Sequence, residues 1–445
     1  MIPDVAQKFN IPSIPGFVIT VSRNMAYCFL FLFVFSCNTN SALKYRSSGT
    51  DTIPVLNIPQ PQPISGPEFN RIKYAAEHWY DSALKPGNFN GAMLVAKNGN
   101  IIFERYNGTA HLRGGDTITE NTALHIASVS KTFTAMGLLK LAQEGKVNLD
   151  DELSKYFPAF NYPGVTIRNL LSHRSGLPNY LYFMEELGWD KSVYIKNQDI
   201  LDYLINRKAE LKDITTPGTH FTYCNTNYAL LALLIEKVTG LSYPQFIQQT
   251  FFIPLQMKNS FVCSMADTTR ISPSYDWRGN LIPLNFLDLV YGDKNIYTTV
   301  RDLLTWDRAL SGNVLFKKEI LEEAYAPYSN ERAGIRNYGL GWRMYAYPTG
   351  KKIIYHNGWW HGSNAAFIRV LYDSAVIILI GNKFNRNVYH AKSLASSFGE
   401  YGNAGDEEEM EALKNNEVMQ SPVKKPQKIK AAKKRTRHTP KKRRK

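Results

Sequence analysis

A chain of 445 residues, 44% hydrophobic and 13% aromatic, is long enough to bury a large core as one domain or as two intermingled ones. The net charge of +15 is misleading as a global property: residues 421–445 hold 13 Lys/Arg and no acid, so the remainder carries +2. A nearly neutral fold with a basic tail is not a folded nucleic-acid module, and four cysteines (Cys28, Cys37, Cys224, Cys263) without ligand spacing imply neither a disulfide framework nor a metal centre.

Ala26–Ser36 is an apolar run of eleven residues with Lys8 and Arg23 upstream, too short to span a bilayer and the right length for a signal core. It ends in Val-Phe-Ser-Cys37, which resembles a bacterial lipoprotein signal in which Cys37 would be lipidated; Phe35 departs from the usual small residue, and Met25 is an alternative start. The expectation is an exported, lipid-anchored protein of the periplasm or outer membrane. Residues 1–37 are read as leader, 38–65 as a Pro-rich tether, 66–400 as the folded domain, and 401–445 as a disordered tail, acidic at DEEEME and then basic. The basic end is a candidate contact for envelope polyanions, with no specific nucleic-acid partner expected.

Within the domain, a helix is predicted from about Glu68 to Ala83. The apolar runs Gly91–Val95 and Ile101–Arg105, joined by Lys-Asn-Gly-Asn, read as a hairpin. From Phe133 the positions Ala135, Met136, Leu138, Leu139, Leu141 and Ala142 recur at helical spacing, with Gly145 as the stop. A mostly helical region runs to about residue 325, and Ile353–Tyr355, Ala365–Leu371 and Ala375–Ile380 are strand-like. Strands at both ends with helices between predict an α+β fold: one antiparallel sheet built from both ends of the domain, packed on helices, beside an all-helical region.

The chemistry gathers at the head of the helix over residues 133–142. Ser128 and Lys131 stand three residues apart, so one turn places both on one face. A hydroxyl becomes nucleophilic when a neighbour takes its proton, and a lysine in an apolar pocket can do so. The bland alternative is an N-capping serine, and Ser-x-x-Lys also occurs at Ser41/Lys44, Ser82/Lys85 and Ser421/Lys424. Tyr223 and Asn225 lie in a polar loop that runs into a helix ended by Gly240; a tyrosine there can relay protons, and an asparagine can hold a carbonyl or the lysine. His356-Asn-Gly358 opens a candidate strand, where Gly358 would allow close substrate approach and the Trp359 N–H could serve an oxyanion. His173 is expected to hold its turn, Cys224 to fill space, and Trp306 and Trp342 to be core. Trp359, Trp360, Tyr180 and Trp189 are candidates to line a pocket.

The order Ser128-x-x-Lys131, Leu170-Leu-Ser-His-Arg-Ser-Gly-Leu-Pro178, Tyr223-x-Asn225 and His356-x-Gly358 resembles the serine β-lactamase/penicillin-binding superfamily, over roughly residues 68–385. The similar branch holds class C β-lactamases, D-alanyl-D-alanine carboxypeptidases, D-amino-acid peptidases and esterases. The resemblance implies Ser128 as acylated nucleophile, Lys131 as its base partner, Tyr223 as general base and leaving-group acid, and His356 in the third motif. Asn225, Gly358 and Trp359 would contact substrate, with the Ser128 and Trp359 N–H groups as oxyanion hole and no cofactor or metal. Two departures stand out: no Lys-Thr-Gly occurs, so a histidine replaces a permanent cation, and the bulky Trp359-Trp360 follows. Both point toward a D-peptidase or esterase. The alternatives are a non-catalytic peptidoglycan- or penicillin-binding relative and a weak β-lactamase.

Overall fold

Asn98 and Gly99, at φ +53° and +78°, form the two-residue turn that the Asn-Gly pair predicts, and with it the first hairpin of the fold. The computed structural model of the chain describes residues 53–269 and 271–402. The leader with Cys37, and the tail from residue 403, lie outside the described residues.

In chain order the elements begin with α1 (Gly66–Trp79), β1 (Gly91–Lys97), β2 (Asn100–Asn107), β3 (Leu124–His125) and α2 (Ser130–Gln143). The helical region follows with α3 (Ile167–Leu171), α4 (Tyr180–Glu186), α5 (Asn197–Asn206), α6 (Asn225–Thr239) and α7 (Tyr243–Ile247). Short strands β4 (Phe261–Val262), β5 (Ser274–Tyr275), β6 (Leu281–Ile282) and β7 (Ile296–Thr298) lead to α8 (Val300–Ser311) and α9 (Lys318–Ala324). The chain returns to the sheet with β8 (Arg336–Tyr338), β9 (Arg343–Ala346), β10 (Lys352–Trp360), β11 (Ser363–Val370) and β12 (Ala375–Gly381).

The sheet is antiparallel, in the order β2-β1-β12-β11-β10-β9-β8. β1 joins β12 from Gly91↔Gly381 to Lys97↔Ala375, so the two ends of the domain meet at its centre, as expected. Both faces are covered, which is why these strands read as continuous apolar runs rather than alternating ones. Ala92, Leu94 and Ala96 enter the core shared with the helices; Met93 and Val95 enter a second core under α1 and the 3-10 stretch Arg386–Ser397. α2 and α6 are buried almost all round, the condition for a helix threading a large core. Arg369 of β11 ties the sheet to α8: its side chain, 2% exposed, donates from Nε to Asp307 Oδ1 at 2.6 Å.

Three expectations change. β8 and β9 were not predicted as strands, being too short to show a period-2 pattern. His356-Asn-Gly358 does not open a strand but lies in the second half of β10. Residues 53–64, part of the stretch read as a Pro-rich tether, lie along the domain: Leu56 N–H donates to Pro254 O at 2.8 Å, Gln62 N–H to Asn98 O at 2.9 Å, and Arg308 Nη2 to Pro59 O at 2.7 Å.

Candidate active site

The turn that carries Ser128 is held by one neighbouring segment. β3 pairs with β7, Leu124 opposite Thr298 and His125 opposite Tyr297. Beyond the pair, Ile126 N–H donates to Ile296 O at 3.0 Å, and the Ile296 N–H donates to Ser130 Oγ at 3.1 Å. Asn295 N–H donates to His125 Nε2 at 3.2 Å; burial pushes the His125 imidazole down to about 3, so that nitrogen is free of its proton and can accept. Ala127 then takes φ +46°, a left-handed conformation costly for a residue with a Cβ, and Ser128 follows on a single 3-10 turn before α2. Strain of this kind persists where the surroundings over-determine it, and here β10 does so. A Cβ on Gly358 would stand 2.1 Å from Ile126 O, so glycine lets the β10 backbone lie against the Ser128 turn. β9 pairs with β10 only from Lys352 to Tyr355, leaving the His356–Trp360 stretch without that partner beside Ser128.

Lys131 projects from the first turn of α2 and is fully buried. Its Nζ lies 3.0 Å from Ser128 Oγ, 2.7 Å from Asn225 Oδ1 and 2.8 Å from the Asp293 carbonyl oxygen. Asn225, distant in sequence, is thus brought into one hydrogen-bonded set with Ser128 and Lys131. Tyr223 joins it: Lys131 Nζ and the Arg343 guanidinium stand 5.1 and 5.2 Å from its ring centroid.

His173 positions this tyrosine, in keeping with the structural role expected for it. At φ +56° and fully buried, it accepts the Cys224 N–H on Nδ1 at 3.1 Å, while its carbonyl accepts the Thr222 N–H at 2.9 Å. Its ring lies 4.4 Å from that of Tyr223. Cys224 is buried with Sγ against the Leu177 and Pro178 carbonyls, and burial pushes its thiol up, so it fills space as expected. Trp306 and Trp342 are core, again as expected.

His356 is buried, its ring 6.3 Å from that of Tyr223. Nδ1 donates to the Asn357 carbonyl at 2.7 Å, and Nε2 accepts from Tyr338 OH at 3.3 Å. Burial, with Arg343 and Lys131 nearby, drives its pKa well below the usual range. The imidazole is neutral at pH 7 and stands behind Tyr338, so it does not replace the missing cation; Arg343 carries the permanent charge beside Tyr223.

The pocket expectation for the tryptophans divides between the faces of β10. The Trp359 indole packs against Phe384 at 5.7 Å and donates to the His361 carbonyl, on the α1 side of the sheet. Only its backbone is left for the site, because successive side chains alternate faces. Trp360 points the other way, donating to Asp288 with Lys294 Nζ 4.6 Å from its ring centroid. Tyr180 is fully buried and donates to Asp293 Oδ2 at 2.9 Å, whereas Trp189 packs on Tyr203 in the helical region. Sequence reasoning missed Asp293, Lys294, Tyr338 and Arg343. Of these, only Tyr338 stands in a recognisable local pattern, the glycine-rich stretch Tyr338-Gly-Leu-Gly-Trp342.

Comparison with known proteins bears on this geometry. The profile of the Beta-lactamase family matches residues 81–395. A penicillin-binding protein of Bacillus subtilis is 31% identical over 329 residues, spanning 69% of this chain and 71% of that protein. Among solved structures, a penicillin binding protein from Bacillus halodurans superposes with a TM-score of 0.61 at 22% identity, covering 72% of this chain and 98% of that one. A D-stereospecific amidohydrolase from Streptomyces sp. superposes with a TM-score of 0.55 at 23% identity, covering 74% and 98%. The two structures share the α+β fold described here. With its helix-borne Ser-x-x-Lys pair and a family profile matched over most of its length, the chain belongs to the beta-lactamase family.

Proposed function

We propose that the chain is a serine hydrolase acting through an acyl-enzyme on Ser128, on a small amide or ester. The observation that carries this reading is the 3.0 Å approach of Lys131 Nζ to Ser128 Oγ, with two carbonyl oxygens at 2.7 and 2.8 Å on the same nitrogen. A neutral amine has two N–H bonds and one lone pair. If Asn225 Oδ1 and Asp293 O take the two N–H bonds, the lone pair faces Oγ and can accept its proton as Ser128 attacks the carbonyl. The developing oxyanion would rest on the Ser128 and Trp359 N–H groups, and Asn225 would meet the substrate amide. Tyr223 would hand a proton to the departing amine or alcohol and draw one from the water that clears the acyl group.

The substrate class we favour is a D-amino-acid peptide of cell-wall type or a carboxylic ester. Two names support it: the D-stereospecific amidohydrolase that shares the fold, and the penicillin-binding relative at 31% identity. The absence of Lys-Thr-Gly and a neutral histidine in the third motif speak against efficient β-lactam hydrolysis. The apolar run before Cys37 supports an exported, lipid-anchored placement, and the basic end supports contact with envelope polyanions.

The test is intact mass spectrometry of the purified chain with a fluorescent penicillin and with p-nitrophenyl acetate, Ser128→Ala serving as control. A covalent adduct or ester turnover that vanishes in the variant is the expected result. A long-lived penicillin adduct would favour a peptidase, and fast ester turnover without one an esterase. Neither adduct nor turnover would sink the mechanism and leave a non-catalytic binding protein.

A further inference from the structure

The mechanism leaves a buried lysine without a task. Lys294 and Asp293 form an ion pair at 3.3 Å, each side chain 2% exposed. Lys294 Nζ also donates to Tyr180 OH, and Tyr180 OH donates to Asp293 Oδ2 at 2.9 Å, closing a ring of three groups. Burial and the neighbouring carboxylate hold the Tyr180 phenol well above its ordinary pKa, so it stays a donor. Lys294 Nζ lies 4.6 Å from the Trp360 ring centroid, which joins the ring of groups to the end of β10.

A buried ion pair is a poor source of stability, because desolvating both charges offsets their attraction. What such a pair does well is fix geometry. The geometry at stake is the Asp293 backbone carbonyl, one of the two oxygens on Lys131 besides Ser128. Asn225, the other, is anchored at the start of α6. Asp293 instead sits in the loop between β6 and β7, outside any helix or strand. Gly292 ahead of it is held by Thr134 Oγ1, which donates to Gly292 O at 2.7 Å; after it, Asn295 and Ile296 are held to the Ser128 turn. Asp293 is the point between these anchors, and its carboxylate is gripped from one side by Tyr180 and Lys294.

We propose that Tyr180, Asp293 and Lys294 are positioning residues that aim the Asp293 carbonyl at Lys131 and thereby hold the lysine on Ser128. This rests on the acyl-enzyme reading of Ser128. A shift of about 1 Å in a group serving the reacting atoms lowers rate by about 100-fold without weakening binding to match.

The experiment measures the acylation rate constant and the apparent dissociation constant separately, by stopped-flow with fluorescent penicillin and with p-nitrophenyl acetate. The proteins are the full chain and its Tyr180→Phe, Lys294→Met and Asp293→Asn/Lys294→Met variants. The double variant removes both charges while leaving Tyr180 an acceptor, so it separates loss of geometry from a stranded charge. The expected result is an acylation constant about tenfold lower in Tyr180→Phe and 10- to 100-fold lower in Lys294→Met. Dissociation constants should stay within threefold, and the double variant, which strands no charge, should still acylate at least tenfold more slowly than wild type. If Lys294→Met fails to fold, Tyr180→Phe and the double variant still decide. Acylation within threefold of wild type in Tyr180→Phe and Lys294→Met, losses falling equally on binding, or recovery of the double variant to within threefold of wild type would overturn the positioning role alone. A wild-type chain that neither probe acylates would overturn the Ser128 reading and this role with it.

Discussion

Gly358→Ala offers a quantitative test of how the site is assembled. An added Cβ would lie 2.1 Å from Ile126 O and 3.1 Å from the Ile126 carbonyl carbon. The shortest comfortable carbon–oxygen separation is about 3.3 Å, so the β10 backbone and the Ser128 turn must part by roughly 1.2 Å. Neither side yields easily. The turn is fixed by Ile126 N–H on Ile296 O, and β10 is paired with β11 from Ile353↔Val370 through Trp360↔Ser363. Overpacking of this sort costs about 1–3 kcal/mol of stability. Because Ser128 and the Trp359 N–H lie on opposite sides of the contact, their separation changes by the same distance, and a misplacement of about 1 Å corresponds to about 100-fold in rate. Stopped-flow acylation by a fluorescent penicillin, with thermal denaturation of the same preparation, gives both numbers. An alanine variant that acylates within threefold of wild type at unchanged midpoint would refute the claim that this contact sets the distance between nucleophile and β10.

Two further predictions concern the buried charges. His125, His173 and His356 are buried with pKa values pushed below the ordinary 6.5, chiefly by desolvation. Above that pH none carries a proton in either state; as pH falls below it, the unfolded chain takes up protons that the native state refuses, so stability is lost, by about 2 kcal/mol per histidine between pH 6.5 and 5. Urea unfolding at pH 7 and pH 5 should show this fall, with a smaller one in His173→Asn, and a flat profile would contradict it. Arg369→Met strands the Asp307 carboxylate that the guanidinium meets at 2.6 Å, and should cost about 3–5 kcal/mol, read as a lowered urea midpoint. A loss below about 1 kcal/mol would show that Asp307 finds another partner or a proton.

Some of the site was legible because it is local. Ser128 and Lys131 are one helical turn apart, and no distant residue is needed to put them on one face. Asn98-Gly99 dictates its turn by backbone preference alone. Tyr223 and Asn225 could be singled out by motif, although what holds their loop, His173 in a left-handed conformation, lies about fifty residues earlier. The faces of β10 were misjudged for a different reason. Trp359 and Trp360 are adjacent and chemically alike, and only the register of β10 against β11 settles which indole faces the helices.

What the residues determined by themselves was the chemistry available: a Ser/Lys pair at the head of an apolar helix, a Tyr-x-Asn loop, and apolar strands at both ends of one domain. Periodicity and turn preference act over a few residues, and these features need no more. Tertiary structure alone decided the rest. The Asp293 carbonyl reached Lys131, His356 became neutral behind Tyr338, Arg343 came to the face of Tyr223, and Gly358 let a strand rest on the Ser128 turn. Each depends on groups separated by tens to hundreds of residues, and on a desolvation that exists only once the two cores have closed around the sheet.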